Sequence, residues 1–268
     1  MSSKYNIIKD PPKALTFDVF GTVVDWRKTV TQALHTASLN KTSSSSRLSS
    51  LSPALRTRLT SVDWSQFAQE WRNAYKSYTR SYNPSSDPWK DIDTHHYESL
   101  ISLLSSWELN GLYTDEEIKE LSLVWHFLTP WPDSSEGIQK LGKKFVTSTL
   151  SNGNQSLLQD LNSHGQLGFQ KLQSAEDFRA YKPNEKVYRG SARELGVEMG
   201  EVAMVAAHLN DLKAARSLGM RTVYVEREGE EDWGVGGEEW EDARGWVDMW
   251  VRKDEGGFLE VARRFGVE

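Results

Sequence analysis

Asp18 stands where the apolar run Ala14–Phe17 stops, and three further apolar runs of the chain end on comparable polar groups. A carboxylate in that position can act as a nucleophile, hold a cation or cap a loop. Gly21 permits a tight turn, Thr22 adds a hydroxyl, and the turn amides can face an anion. Ser151-Asn152-Gly153 follows Val146–Leu150 and places a hydroxyl and an amide where a carboxylate or phosphate could be held. Lys182 lies in Ala180-Tyr-Lys-Pro-Asn-Glu, where Pro183 restricts the lysine to extended geometry and suits the first turn of a helix. His208 and Asp211 follow Val202–Val205, with Asp211 in the first turn of a helix, a place an acid also favours for the macrodipole. Singly, each is an ordinary turn or cap residue. A lysine beside Asp18 would keep that carboxylate ionised and oriented, and the set in this order is what points to a site.

The elements that must position these groups are legible in the spacing. Residues 13–18 read as a buried strand. From 26 to 128 strand signals almost vanish, while Phe67, Trp71, Ala74, Tyr75 and Tyr78 recur at helical intervals, as do Leu100, Leu103, Leu104 and Trp107. The serine-rich stretch from Lys41 reads as a mobile loop between helices. Thr114 with Glu117 reads as a capped helix start. Thr129-Pro-Trp-Pro-Asp133 breaks the pattern as a linker. Beyond it, strands at 145–150, 202–207, 222–225 and 248–251 alternate with helices at 155–164, 184–195, 209–218 and 257–265. That alternation predicts an α/β fold with an open parallel sheet. The domain expectation is an α/β core of residues 1–25 and 129–268, interrupted by a helical cap of residues 26–128. In such sheets ligands bind beyond the carboxyl ends of the strands, where the polar groups above fall.

Composition excludes several function classes. There are 32 Lys plus Arg against 38 Asp plus Glu, a formal charge of −6, and no basic run, so no nucleic-acid partner is expected. Cysteine is absent, which removes disulfides, thiolate metal sites and a cysteine nucleophile. No apolar stretch has the length of a secretory leader or a membrane span, so the expected location is the cytoplasm, away from membranes. The hydrophobic share of 38% and the 11 tryptophans supply a substantial core.

The order of motifs resembles the haloacid dehalogenase superfamily, and within it the L-2-haloacid dehalogenase (type II) branch. The pieces that carry the resemblance are Phe17-Asp-Val-Phe-Gly-Thr22, Leu150-Ser-Asn-Gly153, Tyr181-Lys-Pro183 with Tyr188, and the Asp211 segment. Arg72, in Glu70-Trp-Arg-Asn-Ala-Tyr75, resembles the cap-helix arginine of that branch. The likeness runs from about Lys13 to the C-terminus, with the serine-rich stretch as an extra. It implies a Rossmann-like core with an inserted cap. Departures are Phe20 where the branch usually has Tyr, Ala206 and His208 where it has Ser and Asn, and Asn210 where a Trp is common.

The resemblance implies hydrolysis of short 2-haloalkanoic acids to 2-hydroxy acids through an ester on Asp18, with no metal and no cofactor. Lys182 would fix Asp18, and Asp211 would be the base for water with His208 as helper. Ser151, Thr22 and loop amides would hold the substrate carboxylate beside Phe20, and Arg72 with Asn152 would receive the halide. Tyr188 would orient Lys182 or Asp18. A homodimer is the assembly the branch suggests. The alternatives are a magnesium-dependent phosphatase of the same superfamily and a non-catalytic relative that binds a small ligand. Superfamily phosphatases carry an acid two residues after the nucleophile and another four before the Asp211 position; here those places hold Phe20 and Ala207. A departing halide needs no proton, whereas a departing alcohol does, so these residue types favour carbon–halogen cleavage.

Overall fold

The computed structural model describes residues 6–268, and its first strand is β1 (Ala14–Phe17). A short strand β2 (Val24–Asp25) leads into helices α1 (Trp26–Thr42), α2 (Ser45–Ser50), α3 (Pro53–Leu59), α4 (Trp64–Ser81), α5 (Ile92–Ser106) and α6 (Asp115–Ser122). Strand β3 (Thr129–Pro130) returns the chain and pairs antiparallel with β2, Val24 opposite Pro130. Then follow α7 (Ser134–Leu141), β4 (Val146–Thr149), α8 (Gln155–His164), α9 (Glu185–Leu195), β5 (Val202–Ala206), α10 (Leu209–Ser217), β6 (Arg221–Val225), α11 (Glu238–Trp246), β7 (Met249–Val251) and α12 (Gly257–Arg264).

The main sheet has the order β4-β1-β5-β6-β7, and every adjacent pair is parallel. Strands β1, β5 and β6 are buried along their whole length, which is why they read as continuous apolar runs without alternation. Phe17 packs edge-on against Phe169 and Phe258, and burying one such ring stabilises the fold by about 1.5–3 kcal/mol. The chain passes from β1 to β4 on one side and on to β5 on the other. The carboxyl end of β1 is therefore a topological switch point, where a crevice opens. Asp18 is the residue at that end.

Helix α4 buries Phe67, Ala68, Trp71, Arg72, Tyr75 and Thr79 along one face, at the intervals that make a helix stripe. An arginine in such a stripe is unusual, and its surroundings matter below. The capped start at Thr114 forms as expected, with the Glu117 carboxylate accepting from the Thr114 amide.

The serine-rich stretch differs from its expectation as a loop. Helix α1 continues to Thr42, and residues 45–50 form α2, capped by the Ser44 hydroxyl, which accepts from the Arg47 amide. Serine is a weak helix former but a strong N-cap, and here one serine starts a helix built from the others. Pro183 also differs: it precedes the N-cap Asn184 of α9 and lies outside the helix. Helices α7 and α11 lie where the sequence reading assigns nothing. Gly137 in α7 looks like a breaker, yet it lets Phe258 of α12 approach so closely that a β-carbon would overlap it. Among the described residues no helix is long and apolar enough to cross a membrane.

Candidate active site

Both oxygens of Asp18 are committed. Oδ1 accepts from Lys182 Nζ at 2.9 Å, while Oδ2 accepts from Thr22 Oγ1 at 2.8 Å and lies 3.0 Å from His208 Nδ1. Burial alone would raise the Asp18 pKa, but the charges and hydrogen bonds of Lys182 and His208 outweigh it and hold the carboxyl far below its usual range. Thr22 accepts from the Ala207 amide at 2.9 Å and gives its single hydroxyl hydrogen to Asp18. It cannot also donate to a substrate carboxylate. The expectation for Thr22 is corrected accordingly: it orients Asp18.

Lys182 stands between two carboxylates, with Nζ also 2.6 Å from Asp211 Oδ2. Burial works against its charge, yet Asp18 and Asp211 push its pKa above the ordinary lysine value. Asn152 fixes the lysine's backbone, its Oδ1 accepting from the Lys182 amide at 2.7 Å. Asp211 takes a second hydrogen bond, 2.6 Å, from the Tyr188 hydroxyl. Tyr188 therefore reaches Asp211, and not Lys182 or Asp18 as the sequence suggests. The phenol projects from the first turn of α9, and nothing in the sequence specifies which of the nearby groups it meets.

His208 is the residue before α10, buried between Asp18 and a carboxylate the sequence reading does not single out, Glu230. Its Nε2 lies 3.4 Å from Glu230 Oε2, and Trp26 Nε1 donates to the same oxygen at 3.0 Å. Burial disfavours the imidazolium, but the hydrogen bond to Asp18 and the nearby Glu230 carboxylate raise the His208 pKa to about 9. At neutral pH the ring is thus a donor, which fits an electrophilic part and not that of a base. The neighbours of Glu230 have their own tasks. Glu231 accepts from the Leu209 amide at 2.9 Å at the start of α10, and Asp232 pairs with Lys76 at 2.7 Å and Arg80 at 3.1 Å on α4.

Arg72 is only 4% exposed. Its guanidinium sits over the rings of Tyr75, Phe20 and Trp26 at 4.6, 5.4 and 5.6 Å, donates weakly to the Phe20 carbonyl at 3.4 Å, and leaves Nε without a partner. A buried cation held by ring faces has spare donors for an anion. Phe20 also packs on Tyr75 and Trp125, so it forms part of the wall behind Arg72. Tyr75, which the sequence marks as part of a helix stripe and not as a site residue, is buried there, and burial raises its phenol pKa.

Asp18, Arg72, Tyr75, Asn152, Lys182, Tyr188, His208 and Asp211 line one cavity of about 260 Å³, with Lys76, Arg80 and Asp232 around it. Ser151 is not on its wall; the side chain is fully buried and its hydroxyl accepts from the Gly153 amide at 3.1 Å, closing the turn after β4. Among the described residues no group of three or more His, Cys, Asp or Glu side chains is arranged to hold a metal ion.

A family model described as haloacid dehalogenase-like hydrolase matches residues 12–219. The chain is 28% identical over 225 residues to (S)-2-haloacid dehalogenase 4A of Burkholderia cepacia, covering 82% of this chain and 85% of that one. Among solved structures, the defluorinating L-2-haloacid dehalogenase Rha0230 superposes with a TM-score of 0.78 at 28% identity, covering 96% of both chains. The L-2-haloacid dehalogenase PA0810 superposes with a TM-score of 0.74 at 28% identity, covering 94% of this chain and 99% of that one.

Proposed function

The chain belongs to the haloacid dehalogenase-like hydrolases, and we propose that within that family it hydrolyses short 2-haloalkanoic acids to 2-hydroxy acids through an ester on Asp18. The observation that carries this reading is a charge pairing across one cavity: an ionised, fully oriented carboxylate, Asp18, shares the walls with the Arg72 guanidinium, which no carboxylate among the described residues holds. Nucleophile and acceptor for a departing anion are the two parts a displacement at carbon needs.

In the first step an Asp18 oxygen attacks the carbon bearing halogen. The C–O bond forms as the C–halogen bond breaks, and the halide leaves with the electron pair toward Arg72 and Asn152. In the second step water attacks the ester carbon of Asp18 and gives its proton to Asp211. The tetrahedral centre then expels the product alkoxide, which takes that proton back, and Asp18, now carrying one oxygen from water, releases water's second proton to solvent and is restored as the carboxylate. Lys182 offsets the paired negative charges, and Tyr188 holds Asp211. Donors for the substrate carboxylate come from the amides of the Asp18–Thr22 turn and from the Ser151–Gly153 turn. Helices α1–α6 form a cap whose α4 brings Arg72 to the core, so closing the cap completes the site and excludes bulk water. The halide as released product, and a homodimer as the assembly, belong to the same reading.

The test is halide release from chloro-, bromo- and fluoroacetate with a chelator present, followed by a single turnover in ¹⁸O water. The label is expected in Asp18. Label in the hydroxy acid on the first turnover, or a magnesium requirement with turnover of an aryl phosphate, would overturn the reading.

A further inference from the structure

We infer that Glu230 is a positioning residue for the nucleophile: it holds His208 as a two-sided donor, so that Asp18 presents one oxygen for attack and keeps the other clamped. This rests on the proposed ester mechanism and adds a residue to it.

The geometry is that of a buried relay. Asp18 Oδ2 is a carboxylate oxygen and can only accept, so the hydrogen between it and His208 must be on Nδ1. In a neutral ring Nε2 would then turn a lone pair toward the Glu230 carboxylate at 3.4 Å, an unfavourable contact in a buried place. Protonation of Nε2 converts that contact into a charge-assisted attraction. Glu230 is itself 4% exposed and fixed by the Trp26 indole. Room for its carboxylate is made by Gly21, whose φ is +84° and where a β-carbon would overlap Glu230. The same glycine therefore shapes the turn after Asp18 and admits the acid that faces His208.

The consequence falls on the two oxygens of Asp18. Oδ2 has both lone pairs taken, by Thr22 O–H and His208 N–H, whereas Oδ1 meets Lys182 alone and retains a lone pair. Oδ1 is the attacking oxygen. When water later adds to the ester carbon, the negative charge develops on Oδ2, where two donors already point. Other charges facing His208 are Lys182 across Asp18, Arg72 on the cavity wall, and Glu231 and Asp232 beside Glu230. Of these, Arg72 also lowers the pKa of Glu230, after burial, which raises it, and His208.

The experiment uses Glu230→Gln, which keeps an acceptor for Trp26 and removes the charge, alongside His208→Asn and the double variant. Imidazole ¹⁵N spectra assign His208 by its loss in His208→Asn, and its titration is then followed with and without Glu230. A midpoint lower by at least about one pH unit in Glu230→Gln is expected, together with an alkaline limb of kcat/KM for chloroacetate moved down by as much. In the His208→Asn background, Glu230→Gln is expected to leave the pH profile in place. An unmoved His208 titration, or an equal loss of rate in both backgrounds, would overturn the inference. The spectra read His208 without substrate, so they decide on Glu230 even if no haloacid is turned over, an outcome that would count against the ester mechanism alone.

Discussion

The hydroxyl of Tyr188 donates to Asp211 Oδ1 at 2.6 Å, while the other oxygen of that carboxylate accepts from Lys182 at 2.6 Å. Burial and the adjacent Asp211 charge both raise the tyrosine pKa, so the phenol stays a donor at any working pH. Hydrogen bonds to charged groups contribute about 1.5–3 kcal/mol. Removing this one in Tyr188→Phe frees Asp211 to turn while Lys182 still holds its other oxygen. Ester formation at Asp18 does not use Asp211, whereas ester hydrolysis does. The expected outcome is an undiminished first-turnover burst of halide with steady-state kcat lower by about 10- to 100-fold. Stopped-flow halide detection checks it; loss of the burst would place Tyr188 in the first step.

Asp18 and Asp211 are legible in the sequence because a parallel sheet puts the residues after its strands on one edge, and an apolar run announces where a strand ends; Lys182 follows a short 3-10 turn and not a strand, and only its Tyr181-Lys-Pro183 motif marks it. The fold was legible for the same reason: continuous burial of β1, β5 and β6 leaves a plain signature. Glu230 was not. It sits in Glu228-Gly-Glu-Glu-Asp-Trp233, which reads as a solvated acidic stretch, and only tertiary packing turns one of those carboxylates inward beneath Gly21 while its neighbours cap α10 and bind α4. The sequence shows the hydroxyls of Thr22 and Ser151 without showing their partners: Thr22 donates to Asp18, and Ser151 accepts from the Gly153 amide. Helix α2 was hidden by composition, because serine marks helix starts and loops alike.

A second pH-sensitive histidine lies outside the cavity. His126 Nε2 is 2.9 Å from Asp93 of α5, and Nδ1 is 2.7 Å from Asp160 of α8, so the imidazolium joins the helical block to the sheet layer. Asp93 also accepts from Asn154 at 2.7 Å, next to the Ser151–Gly153 turn. Burial opposes the charge, but the two carboxylates raise the His126 pKa above 6.5. A raised folded-state pKa means the contribution is complete below 6.5 and is lost as pH climbs through the raised value. Both carboxylates are partly exposed, so the contribution is about 1 kcal/mol at most. His208 acts in the same direction up to about pH 9, which makes the difference between proteins the useful measure. Urea midpoints are expected to fall from about pH 6 to about pH 9 in the wild type, and to fall less in His126→Gln. Parallel curves would show that His126 does not carry its charge in the folded state.

The last prediction concerns substrate size. The cavity of about 260 Å³ is lined by His208 beside the nucleophile and by Tyr75 and Thr79 of α4. His208 cannot swing aside without breaking its contacts to Asp18 and Glu230, so the wall is stiff. A methyl group added next to the reacting carbon has to be packed against it, and overpacking costs about 1–3 kcal/mol. Chloroacetate is therefore expected to exceed 2-chloropropionate in kcat/KM by about 10-fold or more, the range one carbon commonly commands in a tight pocket. His208→Asn shortens the wall and also removes the clamp on Oδ2. Both substrates should slow, and the ratio between them should shrink toward unity. Measuring both kcat/KM values for the two proteins separates wall from clamp: a lower rate at an unchanged ratio would mean that His208 acts on Asp18 alone and that the methyl group meets its limit at Tyr75 or Thr79.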